Sequence, residues 1–271
     1  MRLKSATLFV TLFCLMALHA VAFAQDGGPF NRAFRCTNGT ASGTYGYRMK
    51  GVIVGAGPVL VNGIFVNNPD GTGSGNVQVV IGNQQIPNAS WSTASFQTNG
   101  DCTGTGKFFV AALNQEINYN FVVTDGGREI ELINTNAGNS FNGYGRRISV
   151  AGRAPNCNNG MILGTYGVRL EGSIPGVTNL SNVGIETYEL DSNFNGVFKG
   201  TDTNSFDGQI VPRTFQGTFK VNTDCSGSGR YTDSLGNTIN FAFVAVDGGR
   251  ELFLQGTDPG IIVSGVARRV Q

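Results

Sequence analysis

The sequence predicts an all-β protein made of two tandem antiparallel eight-stranded up-and-down β-barrels, with a β-sandwich as the alternative for each unit. Three observations lead there: a duplication that spans nearly the whole chain, an apolar pattern that alternates with a period of two, and 40 glycines in 271 residues. That glycine content is about twice the ordinary share and points to many turns.

Ahead of the duplication, Met1 to Ala24 carries Arg2 and Lys4, an apolar run from Ala6 to Ala22, and the triplet Ala22-Phe23-Ala24, which is the order of a secretory signal peptide. An apolar run of about 17 residues is short for a membrane anchor. Leu12 and Phe13 before Cys14 do not suit lipid attachment either. Cleavage after residue 24 would leave an N-terminal lead, 25–35, and would remove Cys14 and His19, the single histidine. What remains holds 17 basic residues, 18 acidic residues and four cysteines. So balanced a charge excludes the electrostatic footprint of a nucleic-acid binder and of a polybasic membrane-surface protein. The expected location is secreted or periplasmic, with no membrane contact after the leader is gone.

The first copy, 36–148, opens with Cys36-Thr-Asn-Gly and Gly43-Thr-Tyr-Gly-Tyr-Arg-Met-Lys-Gly51; the second, 157–271, repeats them as Cys157-Asn-Asn-Gly and Gly164-Thr-Tyr-Gly-Val-Arg-Leu-Glu-Gly172 at an offset of 121. Asp101-Cys102-Thr-Gly-Thr-Gly returns as Asp224-Cys225-Ser-Gly-Ser-Gly at 123, and Asp125-Gly-Gly-Arg-Glu129 as Asp247-Gly-Gly-Arg-Glu251 at 122. Residues 149–156 form a polar linker. Within a copy, strands are predicted near 43–54, 58–66, 74–81, 89–98, 104–111, 117–124, 129–135 and 141–148, from alternation and from turn dipeptides such as Asp70-Gly71 and Asn195-Gly196. Tyr45, Tyr47 and Met49, matched by Tyr166, Val168 and Leu170, suit the inner face. The four cysteines allow three pairings. A unit that folded alone before it was duplicated favours the two within copies, Cys36 with Cys102 and Cys157 with Cys225, in keeping with an oxidising compartment.

The order Cys…Gly-Thr-Tyr-Gly…Asp-Cys-Thr-Gly…Asp-Gly-Gly-Arg-Glu…Gly-x-x-x-Arg resembles a group of exported bacterial two-unit β-barrel proteins of unknown function, abundant in some soil bacteria. The barrel that this resemblance implies is similar in shape to the allene oxide cyclase and dirigent families and, more loosely, to lipocalins. Likeness of shape does not carry function.

Without histidine beyond the leader, Ser-His-Asp and Cys-His catalysis lack their proton shuttle. Bonded cysteines leave zinc without its usual ligands, and no cofactor is expected. Carboxylates, arginines and tyrosines remain. If alternation continues back from Ile130 and Leu132, Arg128 points into the mouth of the first barrel, and Arg250 into the second, where either could clamp a carboxylate; Tyr45 and Tyr166 would line the same space. The plainer reading carries more weight: Asp125 and Asp247 shape their Gly-Gly turns, and each arginine pairs with a nearby acid at the rim. Arg146-Arg147 and Arg268-Arg269 read as solvated charges at strand ends. Asp191, Asn193, Asn195 and Asp202 match a calcium-loop spacing, against which stand flanks that read as strands and an Asn-Gly hairpin signal. The expected function is a secreted, non-enzymatic barrel protein that binds a small apolar or carboxylated molecule or a partner surface. One alternative is a cofactor-independent isomerase or cyclase, and another is a structural or adhesive envelope protein.

Overall fold

A computed structural model describes residues 35–270; the expected leader lies outside them, as does nearly all of the N-terminal lead. The first barrel is built of β1 (Gly43–Ile53), β2 (Gly57–Asn67), β3 (Thr72–Ile81), β4 (Gln84–Thr98), β5 (Thr103–Val110), β6 (Gln115–Thr124), β7 (Glu129–Asn134) and β8 (Asn139–Ser149). The second follows with β9 (Gly164–Ile174), β10 (Val177–Leu190), β11 (Gly196–Phe206), β12 (Gln209–Val221), β13 (Ser226–Asp233), β14 (Thr238–Val246), β15 (Glu251–Gly256) and β16 (Ile262–Arg269). In each unit every strand pairs with its sequence neighbours and the first pairs with the last, so both sheets close. The sandwich alternative falls because closure leaves no edge.

Alternation does what period two requires: Tyr45, Tyr47, Phe121 and Val123 turn inward in the first barrel, and Tyr166, Val168, Phe243 and Ala245 in the second. The repeated Thr-Gly-Thr-Gly and Ser-Gly-Ser-Gly segments have a packing reason. Gly104 stands opposite Phe121 and Gly227 opposite Phe243. A Cβ on either glycine would meet the facing ring at 2.1 or 2.2 Å, so the ring lies where a side chain would otherwise be. Cys36 bonds to Cys102 and Cys157 to Cys225, each within its own barrel.

One end of each barrel is plugged. The buried Tyr45 hydroxyl donates to the Gly127 carbonyl at 2.7 Å and accepts from Arg147 Nη2 at 2.9 Å, while Arg147 also donates to the Thr40 carbonyl at 2.7 Å. In the second barrel Tyr166 donates to the Gly249 carbonyl, and Arg269 donates to the Tyr166 hydroxyl at 2.9 Å and to the Met161 carbonyl at 2.8 Å. Arg147 and Arg269 are therefore not free charges at strand ends. Each ties the last strand to the lead-in segment and to the Asp-Gly-Gly turn.

The barrels pack side by side through faces that differ between the copies. On β14 the outward residues Ala242, Val244 and Val246 are buried, as is Phe253 on β15; they lie against β1, β2 and β8. A Cβ on Gly46 would meet Val244 and Val246 at 2.5 Å, so this glycine lets β14 approach. Asn62 Nδ2 donates to the Phe253 carbonyl at 2.9 Å, and the Tyr144 ring stands edge-on to Phe253 with centroids 5.2 Å apart. The buried Glu251 carboxylate joins Arg146 of the first barrel to Arg268 of the second, each with N···O of 2.9 Å. Burial of both faces of β14 is legible in hindsight as the unbroken apolar run from Phe241 to Val246.

Replacing Phe253 by Ala should lower stability by about 3–5 kcal/mol, the usual cost of deleting a fully buried ring. Urea denaturation should then show the barrels separating as two transitions where the parent shows one.

Candidate functional site

Register pairing allows the two interiors to be compared position by position. Across the first barrel one row reads Tyr45, Phe65, Gly75, Trp91; in the second the same row reads Tyr166, Glu186, Gly200, Phe215. The next row is Tyr47, Gly63, Val77, Ala89 against Val168, Gly184, Asp202, Arg213. In the third, Val61 and Val79 are answered by Asn182 and Asn204.

In the first barrel these choices fill the lumen. Tyr45 stacks on Phe65 at 5.1 Å and Trp91 on Phe108 at 4.5 Å, and the internal space left is ≈ 40 Å³. In the second, a valine replaces Tyr47, a carboxyl replaces the Phe65 ring, and a phenyl replaces the Trp91 indole. A cavity of ≈ 350 Å³ remains, walled by Leu170, Phe198, Phe215, Phe241 and Leu254. Its lining includes Ile174, Phe206, Asn237 and Ile261, so it reaches the end formed by the β9–β10, β11–β12, β13–β14 and β15–β16 connections, opposite the Tyr166–Arg269 plug.

The cavity's charged groups fall into two sets. Arg213 is the sole basic residue of its lining among the described residues, and it is saturated. Its Nη2 donates to Asp202 Oδ2 at 2.7 Å, its Nε to Asp202 Oδ1 at 3.1 Å and its Nη1 to Asp233 Oδ2 at 2.8 Å. Asn182 and Asn204 complete the network by donating to Asp202 at 2.6 and 2.8 Å. Glu186 stands apart. It is buried at 6% exposure and accepts from the Tyr188 hydroxyl through Oε1 at 2.7 Å, while Oε2 has no hydrogen-bond partner among the described residues. Burial pushes its carboxyl up to about 7, and nearby Asp202 pushes the same way against the Tyr188 hydrogen bond. Burial also holds the Tyr188 phenol well above its ordinary value.

The residues singled out from sequence lie elsewhere. Arg128 and Arg250 do not point into the barrels: both have helical φ/ψ at the end of the Asp-Gly-Gly turn, so strand alternation starts only at the following glutamate. Their side chains are exposed and pair with Asp125 at 3.8 Å and Asp247 at 2.8 Å, the plainer of the two readings. Tyr45 and Tyr166 face inward, but their hydroxyls are spent on the plug. Asp125 and Asp247 open their turns with φ of 47° and 52°. The calcium alternative fails, because Asp191 Oδ1 accepts from the backbone N–H groups of Asn193 and Asn195 to shape a hairpin, whereas Asp202 lies up β11 inside the barrel. No cluster able to hold a metal ion occurs among the described residues. A broader groove of ≈ 1050 Å³ runs between the barrels, but it is open to solvent; among its charges Lys50 and Arg169 pair with Glu171, and Arg268 with Glu251.

No protein-family model matches the chain, and no curated protein matches it. Among solved structures, a DUF3598-family protein of unknown function from Nostoc punctiforme aligns with 85% of this chain and 97% of its own at 10% identity. The TM-score is 0.25, which is too low to support an argument about fold or function.

Glu186 keeps its proton in the folded protein up to about pH 7, while the unfolded chain loses it near the ordinary 4.5. Stability should therefore fall as pH rises through that window, and above it the penalty is constant at about 3 kcal/mol. Glu186→Gln keeps an acceptor for Tyr188 and does not titrate. Its stability relative to the parent should rise between pH 4.5 and 7 and then level off, as read by urea denaturation across pH.

Proposed function

We propose that this is an exported, non-enzymatic binding protein whose second barrel holds one small, largely apolar molecule in its lumen, with the first barrel as a packed support. The observation that carries this reading is the difference between two register-matched interiors, ≈ 350 Å³ against ≈ 40 Å³. A copy that had only to be stable would be filled as its sibling is, since unfilled apolar space costs stability. Export rests on the leader and on the two intra-barrel disulfides, and no helix among the described residues is long and apolar enough to cross a membrane. A carboxylated ligand loses support, because Arg128 and Arg250 stand outside and Arg213 is committed to two aspartates.

One observation favours a second reading, the isomerase or cyclase of allene oxide cyclase or dirigent kind: Glu186 is a protonatable carboxyl beside a phenol, deep in the cavity. Such a pair could move a proton without histidine or metal. The binding reading asks less of these residues and is preferred.

Octan-1-ol serves as a neutral probe. Followed by NMR of the oxidised protein, it should bind at one site and shift amide signals of β9–β15. In Val168→Phe, which sets a ring where Tyr47 stands in the first barrel, binding should weaken at least tenfold with the fold retained. A parent protein that shows no saturable shifts in the second barrel overturns the reading.

A further inference from the structure

The two polar sets in the second lumen carry opposite implications for a guest. Around Arg213 the carboxylates outnumber the cation, since one guanidinium serves both Asp202 and Asp233. An anionic guest would find no free donor there and would face carboxylates. Glu186 lacks a cation altogether. The groups that face it are Tyr166 from β9, Tyr188 on its own strand and Asp202 from β11, itself bound to Arg213 from β12; the cavity lining from β14 and β15 includes the apolar Phe241 and Leu254. Glu186 lines the cavity, and its one hydrogen bond to a described residue is the one that Oε1 accepts from Tyr188.

We propose that the guest is an organic amine, seated with its ammonium nitrogen against Glu186 Oε2 and its apolar body along Phe198, Phe215, Phe241 and Leu254. This rests on the lumen-binding reading above and specifies its ligand class. An ammonium supplies the missing donor and the missing charge together, and a short hydrocarbon or aryl group matches the wall. On binding, the protonated amine meets the Glu186 carboxylate, and below about pH 7 the carboxyl must first release its proton to solvent, so the bound state is an ion pair enclosed by apolar rings. The lumen rows give the same answer from the fold: the carboxyl occupies the place of the Phe65 ring, where an apolar cavity would have kept a hydrocarbon.

The test compares three probes of equal chain length, octylamine, octan-1-ol and octanoate, titrated calorimetrically into the oxidised protein at pH 7.5. Octylamine should bind at one site at least tenfold more tightly than octanol, with octanoate weakest. Glu186→Gln should abolish the preference for amine, so that octylamine binds this variant no more tightly than octanol does. In the parent, octylamine affinity should fall about tenfold for each pH unit below 7, because binding must expel one proton from Glu186, while octanol affinity stays level. The pH series needs no variant, so it decides the matter even if Glu186→Gln fails to fold. Octanol binding as tight as octylamine, or octylamine affinity independent of pH, overturns the amine assignment and leaves the lumen reading standing. If neither octanol nor octylamine binds the parent, both readings fall.

Discussion

An eight-stranded barrel closes around a space that only its own inward side chains can fill. Among the described residues no helix is longer than four residues, so each unit here builds its lumen core from every second residue of eight strands. The first barrel meets this requirement with aromatic rings, stacking Tyr45 on Phe65 and Trp91 on Phe108. It keeps room for those rings by placing glycine opposite them, as Gly104 is opposite Phe121 and Gly106 opposite Tyr119. The second barrel keeps the glycines and the plug but loosens the filling at three adjacent rows. Its cavity is therefore a local departure from a constraint that its sibling satisfies.

Duplication ordinarily begins with two equal copies, and the contact between these two shows how they came to differ. The second barrel presents β14 to β16 and the first presents β1, β2 and β8, so the interface joins unlike faces and cannot treat the copies alike. On β14 the outer positions became Ala242, Val244 and Val246, whereas the matching strand of the first copy carries Asn120, Val122 and Thr124 outward. Glu251, buried between Arg146 and Arg268, belongs to the same contact, while its repeat partner Glu129 pairs with Arg146. Glu129 and Glu251 together face Arg146 and Arg268, so this set is matched for charge. That treatment contrasts with Glu186, a carboxyl of similar burial left with a single phenol donor.

The fold was legible because its determinants are local. A period of two, Asp-Gly and Asn-Gly turns and cysteines spaced alike in both copies fix strand number and pairing without knowledge of any distant contact. The arginine mouth, the lesser of the two readings of Arg128, fails for a local reason as well: positive φ at Asp125, Gly126 and Gly127, then helical φ/ψ at Arg128, break the alternation that would carry the side chain inward. The lumen cluster was not legible, because Glu186, Asp202 and Arg213 come from three strands and become neighbours only once register is set. A signal did exist. Glu186 shares inward parity with Leu180 and Tyr188, and an acidic residue within such a stripe is a departure that alternation alone exposes. Asp202 was noticed for its spacing from Asp191, which proved to belong to a hairpin turn, although its real partner stands eleven residues further on.

The cost of Glu186 is the strongest reason to regard the cavity as kept rather than merely tolerated. A buried carboxyl that must hold its proton to avoid an unpaired charge weakens the folded state at neutral pH, and a phenylalanine, as at position 65, would remove that penalty and fill space at once. Glutamine would remove it while keeping the Tyr188 hydrogen bond. Neither stands there, although the surrounding network shows that this chain can give lumen carboxylates a cation and amide donors, with Arg213 held by two aspartates and two asparagines oriented on Asp202. Natural proteins retain destabilising polar groups mainly where binding or chemistry uses them. An unfilled lumen and a buried carboxyl without a cation are two departures from stability at one place, and a guest carrying both hydrocarbon and a cationic donor reverses both.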